Sequence, residues 1–206
     1  MSSSGFYSLS ILIILGVGVA FFLKKNRKNN PKEPSENLDF FINEIKIYIK
    51  NTYPNIVIDY GKIKSLKNDT QLLARDILII EEIILQFASQ KIEMHSNIFI
   101  PKEQLWSSYE ELSIPIKGKL PKDFLQRKEI VFRKQGGACA RCGQKITFSN
   151  AMSYLFKSLE EKGTYHFENI CVVCSDCNKI LTTSQEHSKI ISSLNIYDHL
   201  LSKINR

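Results

Sequence analysis

The chain has 206 residues, 43% of them hydrophobic and 24% charged, with a formal net charge of +7. That balance excludes a disordered or fibrous chain and leaves room for one ordinary domain with extensions, or for two small ones. The positive excess is uneven: residues 24–37 carry five basic and two acidic side chains, residues 38–117 nine and eleven, and residues 118–206 fourteen and eight. The last segment therefore suits a polyanionic partner, and equally a solvated lysine-rich surface.

Residues 5–23, GFYSLSILIILGVGVAFFL, are uncharged. At about 1.5 Å rise per residue such a run nearly spans a hydrocarbon core of about 30 Å. Lys24, Lys25, Arg27 and Lys28 follow at once and no basic residue precedes them. This predicts a transmembrane anchor over 1–23, with the N-terminus outside and the rest of the chain in the cytoplasm as a single-pass membrane protein. A cleaved signal peptide fits less well, for want of a basic start and of a small-residue cleavage site. Residues 24–37, with Pro31 and Pro34, read as a basic linker.

The segment 38–117 reads as mainly helical, without recognisable chemistry. Leu38, Phe41, Ile42, Ile45 and Ile49 fall on one helical stripe. Residues 55–60, NIVIDY, suggest a short strand after Pro54. From Asp69, a plausible N-cap, a long helix is expected with Leu72, Leu73, Ile77, Ile80, Ile84 and Phe87 on its buried side. His95 carries no metal-ligand pattern. Trp106 and Tyr109 belong to a later helical piece or loop. Leu120-Pro121 opens a further helix through Phe124, Leu125, Val131 and Phe132, which Gly136-Gly137 stops. In the tail, Ile190, Ile191, Leu194, Tyr197, Leu200, Leu201 and Ile204 recur at helical spacing, with His187 and His199 expected on the outside.

The strongest signal is in the cysteines. Cys139-x2-Cys142 is followed, after 31 residues, by Cys174-x2-Cys177. Two such pairs are the usual equipment of a tetrahedral structural zinc site, because two intervening residues allow a tight turn that aims both sulfurs at one ion. Gly143 supplies freedom for that turn. A reducing cytoplasm favours the metal over disulfides. Cys171 and Cys174 have the same spacing as Cys174 and Cys177, but Ile170, Val172 and Val173 place Cys171 in an apolar strand-like run, where a thiol behaves as a small hydrophobe.

The stretch from Leu120 to about Leu181 resembles an HNH endonuclease domain of the zinc-knuckle type. The matching parts are LPKDFLQRKEIVFRKQGG, then CARCG, then KGTYHFENICVVCSDCNK. The resemblance implies an α+β fold class overall: an N-terminal transmembrane helix, a mainly helical middle region, and a C-terminal HNH-like ββα zinc-knuckle domain over 118–206 with a final helix. It also implies a DNA substrate cut at phosphodiester bonds and a catalytic divalent cation such as Mg2+, beside the structural zinc. The family's middle asparagine falls on Asn169 and its last metal-side position on Asn178. Its Asp-His pair falls on Tyr154 and Leu155, and no aspartate lies between Cys142 and Cys174. Leucine has no proton acceptor, and tyrosine with a pKa near ~10 is a poor base at neutral pH. His166 is the remaining histidine between the knuckles and the candidate atypical base.

Three functions follow as expectations. The first is a membrane-anchored, zinc-stabilised HNH-like protein that binds nucleic acid with its cleavage activity lost. The second is an active metal-dependent HNH DNA endonuclease with catalytic residues His166, Asn169 and Asn178. The third is a membrane-tethered zinc module for protein interaction.

Overall fold

The computed structural model describes residues 38–65, 72–92, 100–117, 119–183 and 190–204. The chain enters on α1, Leu38–Thr52, whose buried residues are the five of the expected stripe. Residues 56–59 keep the alternation of a strand, Ile56 and Ile58 inward and Val57 and Asp59 outward, but have no partner strand among the described residues. Glutamine amides stand in for one: Gln90 accepts from Val57 N at 3.0 Å and donates to Val57 O at 2.7 Å, and Gln86 accepts from Asp59 N at 2.7 Å. A primary amide offers the same donor and acceptor as a peptide group, so this segment is extended without being a sheet.

A short α2, Tyr60–Ser65, leads to α3, Leu72–Ser89. The buried side of α3 is Ile79, Ile80, Ile83, Ile84, Phe87 and Ala88, a wider stripe than expected, and Ile77 is half-buried. Burial of each large apolar side chain contributes roughly 1.5–3 kcal/mol, so α3 is the main hydrophobic element of the larger core. The expected cap at Asp69, and His95 and His187, lie outside the described residues.

A second helical cluster follows: α4, Tyr109–Ser113, and α5, Phe124–Lys134. Contrary to the periodicity, Leu125 is exposed and Arg127 on the same helix is fully buried. All five guanidinium N–H groups are used. Nη1 donates to Ser113 Oγ and Tyr165 O, both at 2.7 Å; Nη2 donates to Tyr109 O and Asp123 Oδ2, both at 2.8 Å; Nε donates to Asp123 Oδ1 at 2.9 Å. The same group lies 4.2 Å from the Tyr109 ring centroid. Hydrophobicity alone does not place an arginine inside; a complete set of acceptors does.

After α5 the chain forms the first cysteine turn. It then runs through β1, Met152–Leu155, and β2, Ile170–Val173, into α6, Ser175–Thr182. The strands are antiparallel, pairing Met152 with Val173 and Leu155 with Ile170. β2 is buried throughout and separates two cores. Ile170 and Val172 face Tyr109, Val131, Tyr165 and Phe167, while Cys171 and Val173 face the larger core of α1, α3 and the cysteines. The last helix, α7, Asn195–Ile204, buries Ile196, Leu200 and Ile204 and packs on α3. His199, expected outside, stacks on Tyr48 of α1 at 4.2 Å.

Two expectations are corrected here. The fold class is mixed helical with a small two-stranded sheet among the described residues, rather than an α+β assembly of a transmembrane helix, a helical middle region and a C-terminal HNH-like ββα domain. The physical reason is the shared core: the helices of the middle region close over the cysteines and over α7. The localisation is corrected as well. Among the described residues no helix is long and apolar enough to cross a membrane, so a single-pass membrane protein is not supported. The longest of them, α3, carries Arg75, Asp76, Glu81 and Glu82. The segment 1–23, read from sequence as the anchor, and the linker 24–37 lie outside the described residues.

Arg127→Ala is expected to destabilise the protein by about 3–5 kcal/mol, because it removes the cationic partner of the largely buried Asp123 carboxylate and one donor each from Tyr109 O and Tyr165 O. The loss is read as a shift of the urea midpoint at unchanged slope. Burial acts to raise the Asp123 carboxyl, but the hydrogen bonds from Arg127 and Trp106 outweigh it and hold the group below its usual range. Its contribution is therefore present above the unfolded carboxylate range near ~3.9 and is lost as pH falls through the lower folded value. Asp123→Asn removes that acid sensitivity.

Candidate metal centre

Gly136 and Gly137, both with φ of 64°, turn the chain out of α5 and into the first cysteine pair. The turn is closed by Cys139 N to Gln144 O at 2.8 Å and Gly143 N to Cys139 O at 2.9 Å. Gly143 has φ of 77°, and a Cβ there would lie 2.7 Å from Pro54 Cγ and 2.9 Å from Asn55 Oδ1. Glycine is therefore required twice, for the conformation and for the close approach of residues 54–55. Asn55 N also donates to Cys142 O at 3.2 Å, docking the end of α1 onto the turn.

The second pair comes from the junction of β2 and α6. Cys174 is the N-cap of α6, and its sulfur accepts from Cys177 N at 3.4 Å. The helix that carries Cys177 is fixed in turn by its neighbour: Asp176 Oδ1 accepts from Asn195 N at 3.0 Å and Oδ2 from Ile196 N at 3.0 Å, which caps the start of α7.

Cys139, Cys142, Cys174 and Cys177 converge with all four Sγ atoms within 4.8 Å of one another, all buried. Cys142 Sγ and Cys174 Sγ are 3.8 Å apart. Four sulfurs each about 2.3 Å from a tetrahedral ion lie about 3.8 Å from one another, so the cluster has the size and the donors to hold a metal ion. All five cysteines are free thiols. Hydrogen bonds from Cys142, Cys174 and Cys177 hold Cys139 far below the usual thiol range, and the bond to Cys139 pushes Cys142 and Cys177 up. Thiols must give up their protons to bind a metal, and a divalent ion would supply the positive charge in their place. Cys171, paired with Tyr154 across the sheet, stays outside the cluster. Burial, and then the charge of Cys139, push its thiol up to about 12.

Comparison with known protein families, with curated proteins and with solved structures finds no match for this chain. The chemistry of the site rests on its residues alone.

The other candidate residues are placed as follows. Tyr154 and Leu155 lie on β1, with Tyr154 half-buried and its hydroxyl pushed up by burial. His166 has both ring nitrogens engaged: Nδ1 lies 2.7 Å from Thr164 Oγ1 and Nε2 lies 3.0 Å from Glu110 Oε2. Asn169 clips the loop between the strands. Its Oδ1 accepts from Lys157 N at 2.7 Å, and its Nδ2 donates to Lys157 O and Thr164 O at 2.9 and 2.7 Å. Asn178 follows Cys177 on α6, half-buried, with its backbone N donating to Cys174 O at 2.9 Å. The structure thus gathers the four cysteines, links the side chains of His166 and Asn169 through Thr164 while Asn169 N donates to His166 O at 2.9 Å, and leaves Asn178 on the knuckle helix.

Sequence reasoning missed Arg141, between the two cysteines of the first pair. It is buried and donates through Nη1 to Cys177 Sγ at 3.4 Å. The signal was visible as a charged residue inside the C-x2-C turn, but not its direction. Also missed was an open groove of about 630 Å³ beside Cys174, lined by Gln144, Lys145, Thr147, Ser149, Asn150 and Ser175 among others.

Cys177→Ser is expected to abolish stoichiometric metal binding and to lower the protection of α1 and α3 as well as of α6, whereas Cys171→Ser retains the metal. Elemental analysis with hydrogen exchange reads both. Metal affinity falls as pH is lowered, because binding displaces thiol protons; a chelator competition at two pH values measures the proton release.

Proposed function

We propose that this chain is a nucleic-acid-binding protein of the HNH-endonuclease-like type, folded around a structural zinc ion on Cys139, Cys142, Cys174 and Cys177, and without cleavage activity. The observation that carries the reading is the pairing of a four-thiol cluster with a strand, Met152–Leu155, that holds no carboxylate or imidazole to act as a base at neutral pH. Four soft, buried sulfur donors at tetrahedral spacing suit zinc. The order of two antiparallel strands, a cysteine pair and a helix, entered from a helix and a first cysteine pair, supports the resemblance drawn from the sequence.

On that resemblance, Tyr154 and Leu155 take the positions that require an acid-base pair. Hydrolysis of a phosphodiester needs a group to take a proton from water and a cation to stabilise the phosphate charge. Neither side chain supplies the first. His166 already engages both nitrogens, and Asn169 spends both ends of its amide on the loop backbone. These contacts favour a structural role for residues that in an active enzyme would be free to meet substrate and Mg2+.

Binding is supported by the basic excess of residues 118–206. It is supported as well by the groove beside Cys174, whose lining holds amides, hydroxyls and Lys145 but no carboxylate. Such donors suit phosphate oxygens.

The full chain is expected to bind zinc and to leave supercoiled plasmid intact with added Mg2+ or Mn2+. It is expected to bind DNA with an affinity that falls roughly tenfold or more between about 50 and about 200 mM salt. Lys145→Glu weakens that binding and flattens its salt dependence. Nicking that disappears in His166→Ala would overturn the proposal in favour of an active endonuclease. DNA binding that is absent at every salt concentration would leave a protein-interaction module in its place.

A further inference from the structure

We propose that Arg141 is a positioning residue for the metal centre: it balances the charge of the loaded cluster and ties metal occupancy to the C-terminal end of α3. This rests on the reading that the four cysteines hold a divalent ion.

Four thiolates around a divalent ion carry a net charge of −2, and a buried charge is strongly unfavourable unless it is paired. Arg141 stands between two of the ligands, 4% exposed, with Nη1 directed at the sulfur of a third. An N–H donor to a ligating sulfur draws off part of its negative charge, and the guanidinium brings a full positive charge to the same place. Arginine is suited to this because it remains protonated even when buried.

The rest of the guanidinium faces the other way. Nε donates to Gln90 O at 3.0 Å, and Nη2 donates to Gln90 O at 2.8 Å, to Ala88 O at 3.1 Å and to Phe87 O. The plane also lies 5.1 Å from the Phe87 ring centroid. Phe87 and Ala88 belong to the last turn of α3, where carbonyls have no intrahelical partner and the helix dipole favours a cation. Gln90 in turn holds residue 57 in place. One side chain thus joins the metal ligands, the end of the main hydrophobic helix and the extended segment 56–59. Loss of the ion removes the anionic partner of Arg141 and loosens its hold on the α3 carbonyls.

The test uses the full chain in its wild-type, Arg141→Met and Arg141→Lys forms. Zinc affinity is measured by chelator competition. The sulfur-to-metal charge-transfer band is measured with Co2+, and hydrogen exchange at residues 87–92 is followed with and without metal. Arg141→Met is expected to bind zinc about tenfold or more weakly. Its Co2+ band moves to lower energy, since a sulfur without its N–H donor gives up charge more easily. Arg141→Lys recovers part of both. In wild type, metal removal speeds exchange at 87–92; in Arg141→Met that dependence is lost. Should Arg141→Met not fold, Arg141→Leu, which likewise removes both the donor and the charge, is read in the same way. Unchanged affinity and an unchanged band in the neutral variant overturn this inference alone. A wild-type chain that takes up no ion overturns the metal reading and this inference with it.

Discussion

Four sulfur atoms within 4.8 Å of one another sit in the larger core, and the described chain is arranged around them. Two come from a turn after α5 and two from the junction of β2 with α6. Thiols at this separation contribute little to one another as neutral groups, since S–H is a weak donor and a weak acceptor. As thiolates they repel unless a cation lies between them. The geometry is therefore favourable chiefly as a ligand set, and it constrains everything that touches it: α1 through Asn55, α3 through Arg141, and α7 through Asp176.

β2 gives that constraint a second reach. Its alternate residues face opposite ways into two cores, so a strand only Ile170–Val173 long connects the cysteine side to the aromatic side. Beside each core lies a buried arginine whose donors are met by backbone carbonyls together with side-chain acceptors, Asp123 and Ser113 for Arg127 and the Cys177 sulfur for Arg141. Arg127 gathers α4, α5 and Tyr165; Arg141 gathers the first cysteine turn and the end of α3. A small protein with little apolar mass per core gains specificity from such groups, because a guanidinium with five directed donors accepts far fewer arrangements than a leucine of similar volume.

On the proposed reading, the frame of a nuclease has been kept while its reactive groups have been drawn into structure. Asn169 and His166 illustrate the exchange. Each is a polar residue of a type used in phosphodiester chemistry, and each has its hydrogen-bonding atoms committed to neighbours within the protein. Polar side chains that hold a loop in place lower the entropy of that loop, which is reason enough for them to be where they are.

The sequence by itself determined the local facts. The stripe of α1, the extent of most of α3, the stop at Gly136-Gly137 and the membership of the four cysteines all follow from periodicity, backbone freedom and ligand spacing, which act over a few residues. It also separated Cys171 from the cluster, since Ile170, Val172 and Val173 place that thiol in an apolar strand-like run. Only the tertiary structure decided the rest. The segment 55–60 reads as a strand because its alternation is real, yet a strand needs a partner, and the partner proved to be two glutamine side chains, Gln86 on α3 and Gln90 just after it. The burial of Arg127 and Arg141 has no signal in the sequence, because a buried charge is unfavourable until every donor finds an acceptor, and those acceptors come largely from remote parts of the chain. The merging of the middle helices with the cysteine region into one core was hidden for the same reason: periodicity reveals that a face is apolar, and packing alone chooses what covers it.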